Sequence, residues 1–393
     1  MKTGTGDTSA LIMRLSSSVS SLKRFAQKLG LISVFLYAGA AVAADPFVQP
    51  TDAELADLDA QIQTYMDENN IPGGLVAVSS NGTLIHQQAY GMANVELSVP
   101  VNGETVFEIG SISKQFVAAA VMLLVQEDKL GLEDTIHQHL QGLPSEWLGV
   151  TVRQLLTHTS GIPDYEEIAS YDVYGSRLTS EDVIKIAHSR PMDFEPGTGW
   201  YYSNTGYYLL SLIVERIEGQ PLGEILESRI FDPLDMTQIR MTDPEAIIPN
   251  RASGYWVNKA GKLINRRATE TSSTLGAGGI LSSASDLAKW DKSLYGDQLL
   301  TAESKAAMWA PTVLSDGRRV EYGFGWNVDP YAGLTSQRHS GQVAGFVAKF
   351  GRFPDQEAAI IVFMNRYEVD SDYPMRAVLH TFMPGLGPVP ESR

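Results

Sequence analysis

The sequence predicts an α+β fold, an α/β sandwich in which strands from both chain ends form one antiparallel sheet flanked by helices. Near the start, "GGLVAVSSNGTLIHQQAYGMAN" holds two β-prone runs around Asn81-Gly82, a pair typical of a hairpin turn. The middle, about residues 130–310, carries apolar residues at helical spacing, as in "YYLLSLIVERIEG". The end returns to β-rich runs, "EYGFGWNVD", "QVAGFVAKFGRFP" and "EAAIIVFMNR". This order indicates one sheet with a large, mostly helical inserted domain.

The boundaries of these parts follow from the same patterns. Residues 52–70 show helical spacing, Ser113 to Leu130 form a strongly apolar helix, and a short helix is expected near Pro374 to Met383. We therefore assign the sheet to about residues 45–111 and 315–393, and the helical part to about 112–314. A functional site is expected between the two parts, because ligands commonly bind at such junctions.

Composition and charge narrow the class of protein. Hydrophobic residues make up 44% of the 393 residues and charged residues 19%, which is typical of a globular chain. The formal net charge of −16 disfavours nucleic acid and anionic lipid as partners, because both would be repelled. The chain has no cysteine, which excludes disulfides, thiol nucleophiles and cysteine-ligated zinc.

The first 44 residues have the pattern of a signal peptide. Lys23, Arg24 and Lys28 precede the apolar run "LGLISVFLYAGAAVA", which ends in small residues at positions 41–44. This pattern predicts cleavage and export, with a bacterial periplasm as the expected location, and the alternative is an uncleaved N-terminal anchor. If the segment is cleaved, the mature chain, residues 45–393, has no membrane span.

Ser111 and Lys114, in "VFEIGSISKQFVAAAVMLL", lie three residues apart at the predicted start of a helix. Residues at this spacing share one helix face, so the lysine can reach the serine hydroxyl. A partly neutral lysine can take the serine proton and make the serine a nucleophile. The alternative is that Ser111 caps the helix and Lys114 is solvated, and the motif alone favours that alternative.

Two further motifs offer partners for this pair. Tyr202-x-Asn204 is the only Tyr-x-Asn in the chain, and a phenol whose pKa is lowered by a nearby ammonium could relay protons. Its alternative is a capped helix start with tyrosines in the core. His339-Ser340-Gly341 is the only His-x-Gly and lies at the entry of a predicted strand, whose edge could offer a backbone N–H to an oxyanion. Its alternative is a turn glycine beside a partly buried histidine.

The order Ser-x-x-Lys, Tyr-x-Asn, His-x-Gly resembles the signature of the serine β-lactamase and penicillin-binding-protein superfamily. The segments "FEIGSISKQF", "LLTHTSGIPDY", "YSNTGYYLL" and "GAGGILSSASDLAKW" are similar to the branch that includes class C β-lactamases, D,D-peptidases and family VIII carboxylesterases. The resemblance covers about residues 52–385 and implies the β-lactamase/transpeptidase-like fold.

The resemblance also implies a role for each motif residue. Ser111 would be acylated, Lys114 would share the role of base with Tyr202, and Tyr202 would help to activate the deacylating water. Asn204 would orient Lys114 and the substrate amide or ester, and His339 stands where the family usually has lysine. No cofactor and no metal ion are implied.

Gly341 and Gln342 complete the substrate side of the implied site. Gly341 would permit close approach of the strand, and the backbone N–H groups of Gln342 and Ser111 would form the oxyanion hole.

The histidine at position 339 directs the choice of substrate. Its charge depends on pH, because the unperturbed pKa of histidine is about 6.5, so it is expected to bind a substrate carboxylate less firmly than lysine. We expect a serine hydrolase for an ester, a D-amino-acid peptide or amide, or a β-lactam, with a small-molecule or cell-wall-derived substrate. Esterase or D,D-peptidase-like activity is favoured. The alternatives are a class C-type β-lactamase and a non-catalytic protein that binds penicillin or a cell-wall ligand.

Overall fold

The computed structural model describes residues 47–386 of the chain. The signal peptide predicted for residues 1–44 lies outside the described residues, as do residues 387–393. Within the described range, no helix combines the length and the apolar character needed to cross a membrane.

The long strands lie at the two ends of the described chain, and short strands lie between them. They are β1 (Gly73–Ser80), β2 (Thr83–Asn94), β3 (Val99–Pro100), β4 (Phe107–Glu108), β5 (Arg240–Met241), β6 (Tyr255–Val257), β7 (Leu263–Asn265), β8 (Ile280–Ser282), β9 (Thr312–Val313), β10 (Arg319–Val320), β11 (Gln337–Val343), β12 (Phe346–Phe353) and β13 (Ala358–Met364). Six of them form one antiparallel sheet in the order β11-β12-β13-β1-β2-β3. The predicted α+β class, with a sheet built from both chain ends, is confirmed.

The helices lie on both sides of this sheet and between its two sets of strands. They are α1 (Asp52–Glu68), α2 (Ser113–Gln126), α3 (Ile136–His139), α4 (Val152–Leu156), α5 (Tyr165–Ala169), α6 (Ser180–Ala187), α7 (Asn204–Glu218), α8 (Leu222–Leu226), α9 (Thr271–Thr274), α10 (Ala284–Ser293), α11 (Ala302–Met308) and α12 (Asp372–Phe382). The regular secondary structure of the insertion between β3 and β11 is therefore mainly helical.

The predicted hairpin at Asn81-Gly82 joins β1 and β2. Both residues have positive φ, +48° and +69°, which two-residue hairpin turns of this type require. Ser80 pairs with Thr83 directly across the turn. The hairpin expected from the sequence is therefore confirmed.

Strand β1 separates two apolar layers. Leu75 and Ala77 belong to the core that includes α2 and the helical part. Val76 and Val78 belong to a second core, in which α1 packs against α12. Because side chains alternate across a strand, an unbroken apolar run buries both faces of the sheet and produces the sandwich.

The run "EYGFGWNVD" does not form the predicted strand. Residues 321–329 form a looped segment with isolated bridges at Tyr322 and Asn327. Gly325 has φ of +79°, and a Cβ placed there would lie 2.9 Å from the backbone oxygen of Lys114. Glycine therefore lets the chain turn tightly against the start of α2, where a regular strand could not fit. The loop brings Tyr322 into the interior.

A buried ion pair joins the sheet to the helical part. Arg352 on β12 donates from Nε to Oδ1 of Asp291 on α10 at 2.5 Å, and both side chains are almost wholly shielded from solvent. Arg352 also donates to Gln337 Oε1 on β11. A buried pair of this kind is costly to break, because the remaining charge has no partner.

We predict that Arg352→Ala lowers the free energy of unfolding by about 3–5 kcal/mol, because it leaves Asp291 as an unpaired interior carboxylate. The control is Arg319→Ala, which removes the exposed Arg319–Glu321 pair and should cost less than about 1 kcal/mol. Urea unfolding of both variants measures the difference. Equal losses in the two variants would contradict the assigned role of the buried pair.

Candidate active site

Ser111 lies in a short 3₁₀ turn, Gly110–Ile112, that leads directly into α2. Gly110 has φ of +52°, and a Cβ there would lie 2.6 Å from the backbone nitrogen of Gln342. Glycine therefore allows the turn to approach the edge strand β11 closely. The N-cap of α2 is Ile112, which makes no side-chain capping bond. Ser111 thus does not cap the helix, and it lines a cleft.

Lys114 is completely buried, so the solvated lysine of the alternative interpretation is wrong. Its Nζ lies 3.0 Å from Ser111 Oγ, 2.7 Å from Asn204 Oδ1 and 2.6 Å from the backbone oxygen of Ala277. Burial lowers the pKa of Lys114 to about 7, although the carboxylates of Glu166 and Asp164 act in the opposite direction. A substantial fraction of the amine is therefore neutral at neutral pH.

Asn204, the first residue of α7, links Lys114 to two acidic side chains. Its Oδ1 accepts from Lys114, and its Nδ2 donates to Asp164 Oδ2 at 3.0 Å and to Glu166 Oε2 at 2.9 Å. Burial raises the pKa of Asp164 to about 6 and that of Glu166 to about 7. Sequence reasoning missed both acids. Their signal was the "PDYEE" run, residues 163–167, which begins inside the quoted "LLTHTSGIPDY" segment and places three acids after a buried turn.

Tyr202 lies beside both residues of the first motif. The Lys114 Nζ is 4.8 Å from the centre of its ring. Among the described residues its buried hydroxyl has no partner at good hydrogen-bonding geometry. Burial raises the pKa of Tyr202 well above 10, and the neighbouring Ser111 hydroxyl opposes this effect. The expectation of a lowered pKa is wrong, because loss of solvation dominates and the charges of Glu166 and Asp164 add to it. Tyr202 is a neutral phenol.

His339 lies on β11 and is buried in a hydrogen-bonded cluster. Its Nε2 lies 2.9 Å from the hydroxyl of Tyr322, and its Nδ1 lies 2.6 Å from the backbone oxygen of Ser340. The same Tyr322 hydroxyl lies 3.1 Å from Nε2 of His158. Burial lowers the pKa of His339 to about 3, and Lys114 adds to the effect. The ring is therefore neutral at physiological pH.

Gly341 lies inside β11, not in a turn as the alternative interpretation required. A Cβ on this residue would lie 1.9 Å from the backbone oxygen of Ile109, so only glycine lets the strand pass the turn that carries Ser111. Val343 pairs with Phe346 across a two-residue turn. Because hydrogen-bonded and open pairs alternate, the N–H of Gln342 points away from β12, on the edge beside Ser111.

The predicted site residues lie together. Five of them line one cleft of about 770 Å³, namely Ser111, Tyr202, Asn204, His339 and Gln342. Lys114 and Gly341 lie directly behind this wall, in contact with the turn that carries Ser111.

The cleft is acidic and partly aromatic. Its lining includes three carboxylates, Asp164, Glu166 and Glu167, and several aromatic side chains such as Trp200 and Tyr201. Among the described residues that line it, none is an arginine or a lysine. The described part of the chain also has no group of three or more His, Asp or Glu side chains that could hold a metal ion.

Known proteins are similar to this chain in sequence. Residues 58–381 match the Beta-lactamase family. "Penicillin-binding protein 4*" of Bacillus subtilis is 32% identical over 76% of this chain and 69% of its own length. "D-aminopeptidase" of Brucella anthropi is 27% identical over 78% of this chain and 59% of its own length.

Solved structures of similar fold include a penicillin-binding protein homologue and an amidase. The octameric penicillin-binding protein homologue from Pyrococcus abyssi has a TM-score of 0.73 at 28% identity, over 85% of this chain and 78% of that one. The D-amino acid amidase from Ochrobactrum anthropi SV3 complexed with L-phenylalanine amide has a TM-score of 0.72 at 26% identity, over 84% and 100%. The chain therefore belongs to the Beta-lactamase family, whose fold it has and whose members include serine hydrolases.

Proposed function

We propose that the protein is a serine hydrolase that forms an acyl-enzyme at Ser111 and acts on small amides, short peptides or esters without an anionic acyl group. The observation that carries the proposal is the 3.0 Å contact between Ser111 Oγ and the buried Nζ of Lys114. An amine whose pKa is lowered to about 7 can take the proton that the serine must lose.

The contacts of Lys114 fix the direction of that proton transfer. A neutral amine has two N–H groups and one lone pair. Asn204 Oδ1 and the Ala277 carbonyl oxygen can only accept, so they take the two N–H groups. The lone pair then faces Ser111, whose O–H becomes the donor.

The reaction follows from this arrangement. Oγ of Ser111 attacks the substrate carbonyl carbon while its proton passes to Lys114 Nζ. The N–H groups of Ser111 and Gln342 bind the oxyanion, and loss of one such donor typically costs about 10²–10³ in rate. The C–N or C–O bond then breaks, and the leaving group receives a proton from Tyr202, which Lys114 replenishes. A water molecule then attacks the acyl carbon and gives one proton to Lys114 Nζ. The C–O bond to Ser111 breaks, Ser111 Oγ regains that proton from Lys114, and the acid product leaves.

The charge of the cleft supports the choice of substrate. Glu167 would repel a carboxylate, as would Asp164 and Glu166 above their raised pKa values of about 6 and 7, and the neutral His339 offers no compensating cation. An acyl group with a free ammonium, as in a D-amino-acid amide, or a neutral ester suits this field better. The relatives named D-aminopeptidase and D-amino acid amidase support the amide form. Carboxylate-bearing β-lactams and D,D-peptides are less suited.

Export to the periplasm, which rests on the N-terminal pattern alone, is part of the proposal.

We predict that Ser111→Ala lowers turnover of D-alaninamide and p-nitrophenyl acetate by about 10⁴-fold or more, because the nucleophile is gone. Intact mass spectrometry with an acyl-serine probe should show one adduct in the native protein and none in the variant. The control is Ser315→Ala at an exposed serine outside the cleft, which should retain both properties. An adduct that persists in Ser111→Ala would exclude Ser111 as the nucleophile.

We predict that kcat/KM rises with pH through about 7 and then levels off, because Lys114 acts as a base only when it is neutral. Glu166→Gln removes a carboxylate that stabilises the ammonium, so the pKa of Lys114 should fall. The rise in kcat/KM should then occur at lower pH. Glu167→Gln makes the same charge change at an exposed acid that does not contact Asn204, and it should not change the pH at which kcat/KM rises. If Glu166→Gln leaves that pH unchanged or raises it, Glu166 does not influence the pKa of Lys114 as proposed.

We predict a preference of at least about tenfold for D-alanine p-nitroanilide over its N-succinyl derivative, because the cleft carboxylates attract an ammonium and repel a carboxylate. The ratio of the two kcat/KM values should shrink as salt is raised, since salt screens the exposed carboxylate of Glu167. A preference for the succinylated substrate would refute the proposed charge selectivity while leaving the nucleophile untouched.

A further inference from the structure

We infer that His158, Tyr322 and His339 form a hydrogen-bond chain of fixed direction, which holds His339 as the neutral tautomer protonated on Nδ1 and makes His158 and Tyr322 positioning residues of the site. The three side chains come from distant parts of the sequence and meet in the interior behind Tyr202.

The first end of the chain is set by a backbone donor. The N–H of Ser203 donates to Nδ1 of His158 at 3.1 Å. A backbone N–H cannot accept, so this nitrogen of His158 carries no proton. Burial disfavours the cationic ring, and its pKa lies well below the usual value. A neutral His158 must therefore carry its proton on Nε2, from which it donates to the Tyr322 oxygen at 3.1 Å.

The second end is set by a backbone acceptor. The carbonyl oxygen of Ser340 lies 2.6 Å from Nδ1 of His339, and a carbonyl cannot donate, so this nitrogen carries the proton. The neutral ring of His339 is then bare at Nε2. The hydroxyl of Tyr322, which already accepts from His158, donates its one proton to that nitrogen at 2.9 Å. Both ends thus require the same direction.

The neighbouring Tyr207 does not interrupt the chain. Its hydroxyl donates to the backbone oxygen of Leu156 at 2.8 Å. If Tyr322 donated to the Tyr207 oxygen, His339 Nε2 would have to be the donor. A neutral ring would then be bare at Nδ1, with two lone pairs facing each other at the Ser340 oxygen. The 2.6 Å contact argues against that arrangement.

The hydrogen-bond chain leaves no ring nitrogen of His339 free for a substrate. Nε2 is held by Tyr322, and Nδ1–H is held by the Ser340 carbonyl. His339 therefore acts on the reaction through the strand, because Ser340 is followed by Gly341 and by the proposed oxyanion donor at Gln342. The sequence expectation that His339 would bind substrate directly is replaced here by a positioning role.

The hydrogen-bond chain also connects the two walls of the cleft. At one end, Ser203 lies between Tyr202 and Asn204, and the ring of His158 lies 4.3 Å from the ring of Tyr202. At the other end is the edge strand β11. Fixed hydrogen bonds between these walls hold the phenol and the strand edge at a constant spacing, which acyl transfer requires.

The charges around His339 oppose its protonation over the working pH range. Lys114 and Lys349 both lower the pKa of this ring, and the Ser340 carbonyl acts in the opposite direction. The facing aromatic groups, Tyr202 and Tyr322, remain neutral phenols. The tautomer should therefore persist unchanged from about pH 5 to pH 9.

The test is the protonation state of each imidazole nitrogen, read from ¹⁵N–¹H NMR of ¹⁵N-histidine-labelled protein. We expect native His339 to be protonated on Nδ1 and bare on Nε2. Tyr322→Phe should leave the proton on Nδ1, where the Ser340 carbonyl holds it, but should shift the Nε2 resonance to that of an imidazole nitrogen that accepts no hydrogen bond. In the same variant kcat should fall about 10- to 100-fold with little change in KM, because the walls lose their spacing. Tyr207→Phe removes a nearby buried hydroxyl outside the hydrogen-bond chain and should keep the native Nε2 resonance.

A second pair of variants keeps the test decisive if Tyr322→Phe fails to fold. Glutamine can place an N–H where His158 has Nε2, so His158→Gln should keep the Tyr322 hydroxyl directed at His339 and preserve the Nε2 resonance. His158→Leu removes the donor to the Tyr322 oxygen and should shift that resonance. A native His339 protonated on Nε2, or an Nε2 resonance unaffected by both Tyr322→Phe and His158→Leu, would overturn the inference. The positioning role rests on the proposed acyl transfer at Ser111, but the NMR readout needs no turnover. Failure of the chain and failure of the proposed function are therefore distinguishable.

Discussion

The complete burial of the Lys114 amine is the constraint on which the rest of the site depends. An isolated ammonium in the interior is costly, and the free energy is lowered when the group loses its proton. No carboxylate touches Nζ directly among the described residues, since its contacts are a hydroxyl, an amide oxygen and a backbone carbonyl. These neutral partners satisfy the amine without holding it in its charged form. The serine beside it therefore faces a usable base.

Asp164 and Glu166 influence the protonation of Lys114 without touching its amine. Asn204 stands between Lys114 and the carboxyl groups of Asp164 and Glu166. A direct ion pair would stabilise the ammonium and remove the base, whereas complete absence of negative charge would favour the neutral amine at all pH values of interest. The intervening amide leaves the pKa of Lys114 between these limits. The same burial keeps Tyr202 protonated, so the phenol can donate a proton and the amine can accept one.

The sequence predicted the fold class and the motif residues because both depend on local signals. Apolar periodicity located the central helix, and the Asn81-Gly82 pair located the hairpin. The sequence did not reveal the Asp164–Glu166 pair, the partners of His339 or the direction in which the pKa of Tyr202 is shifted. Tyr322 and His158 are 164 positions apart, and only the folded chain brings them together. The "EYGFGWNVD" run misled for a related reason, because its β-prone residues surround a glycine that must turn tightly against α2.

Burial, not a charged partner, sets the protonation state of Lys114. The most direct measurement is the titration of its side chain in ¹³C-lysine-labelled protein, with the Cε signal assigned by its loss in Lys114→Gln. The structure predicts a midpoint near 7, far below the ordinary lysine value of about 10.4. A midpoint near that ordinary value would show that the amine stays charged and would contradict its role as the base for Ser111.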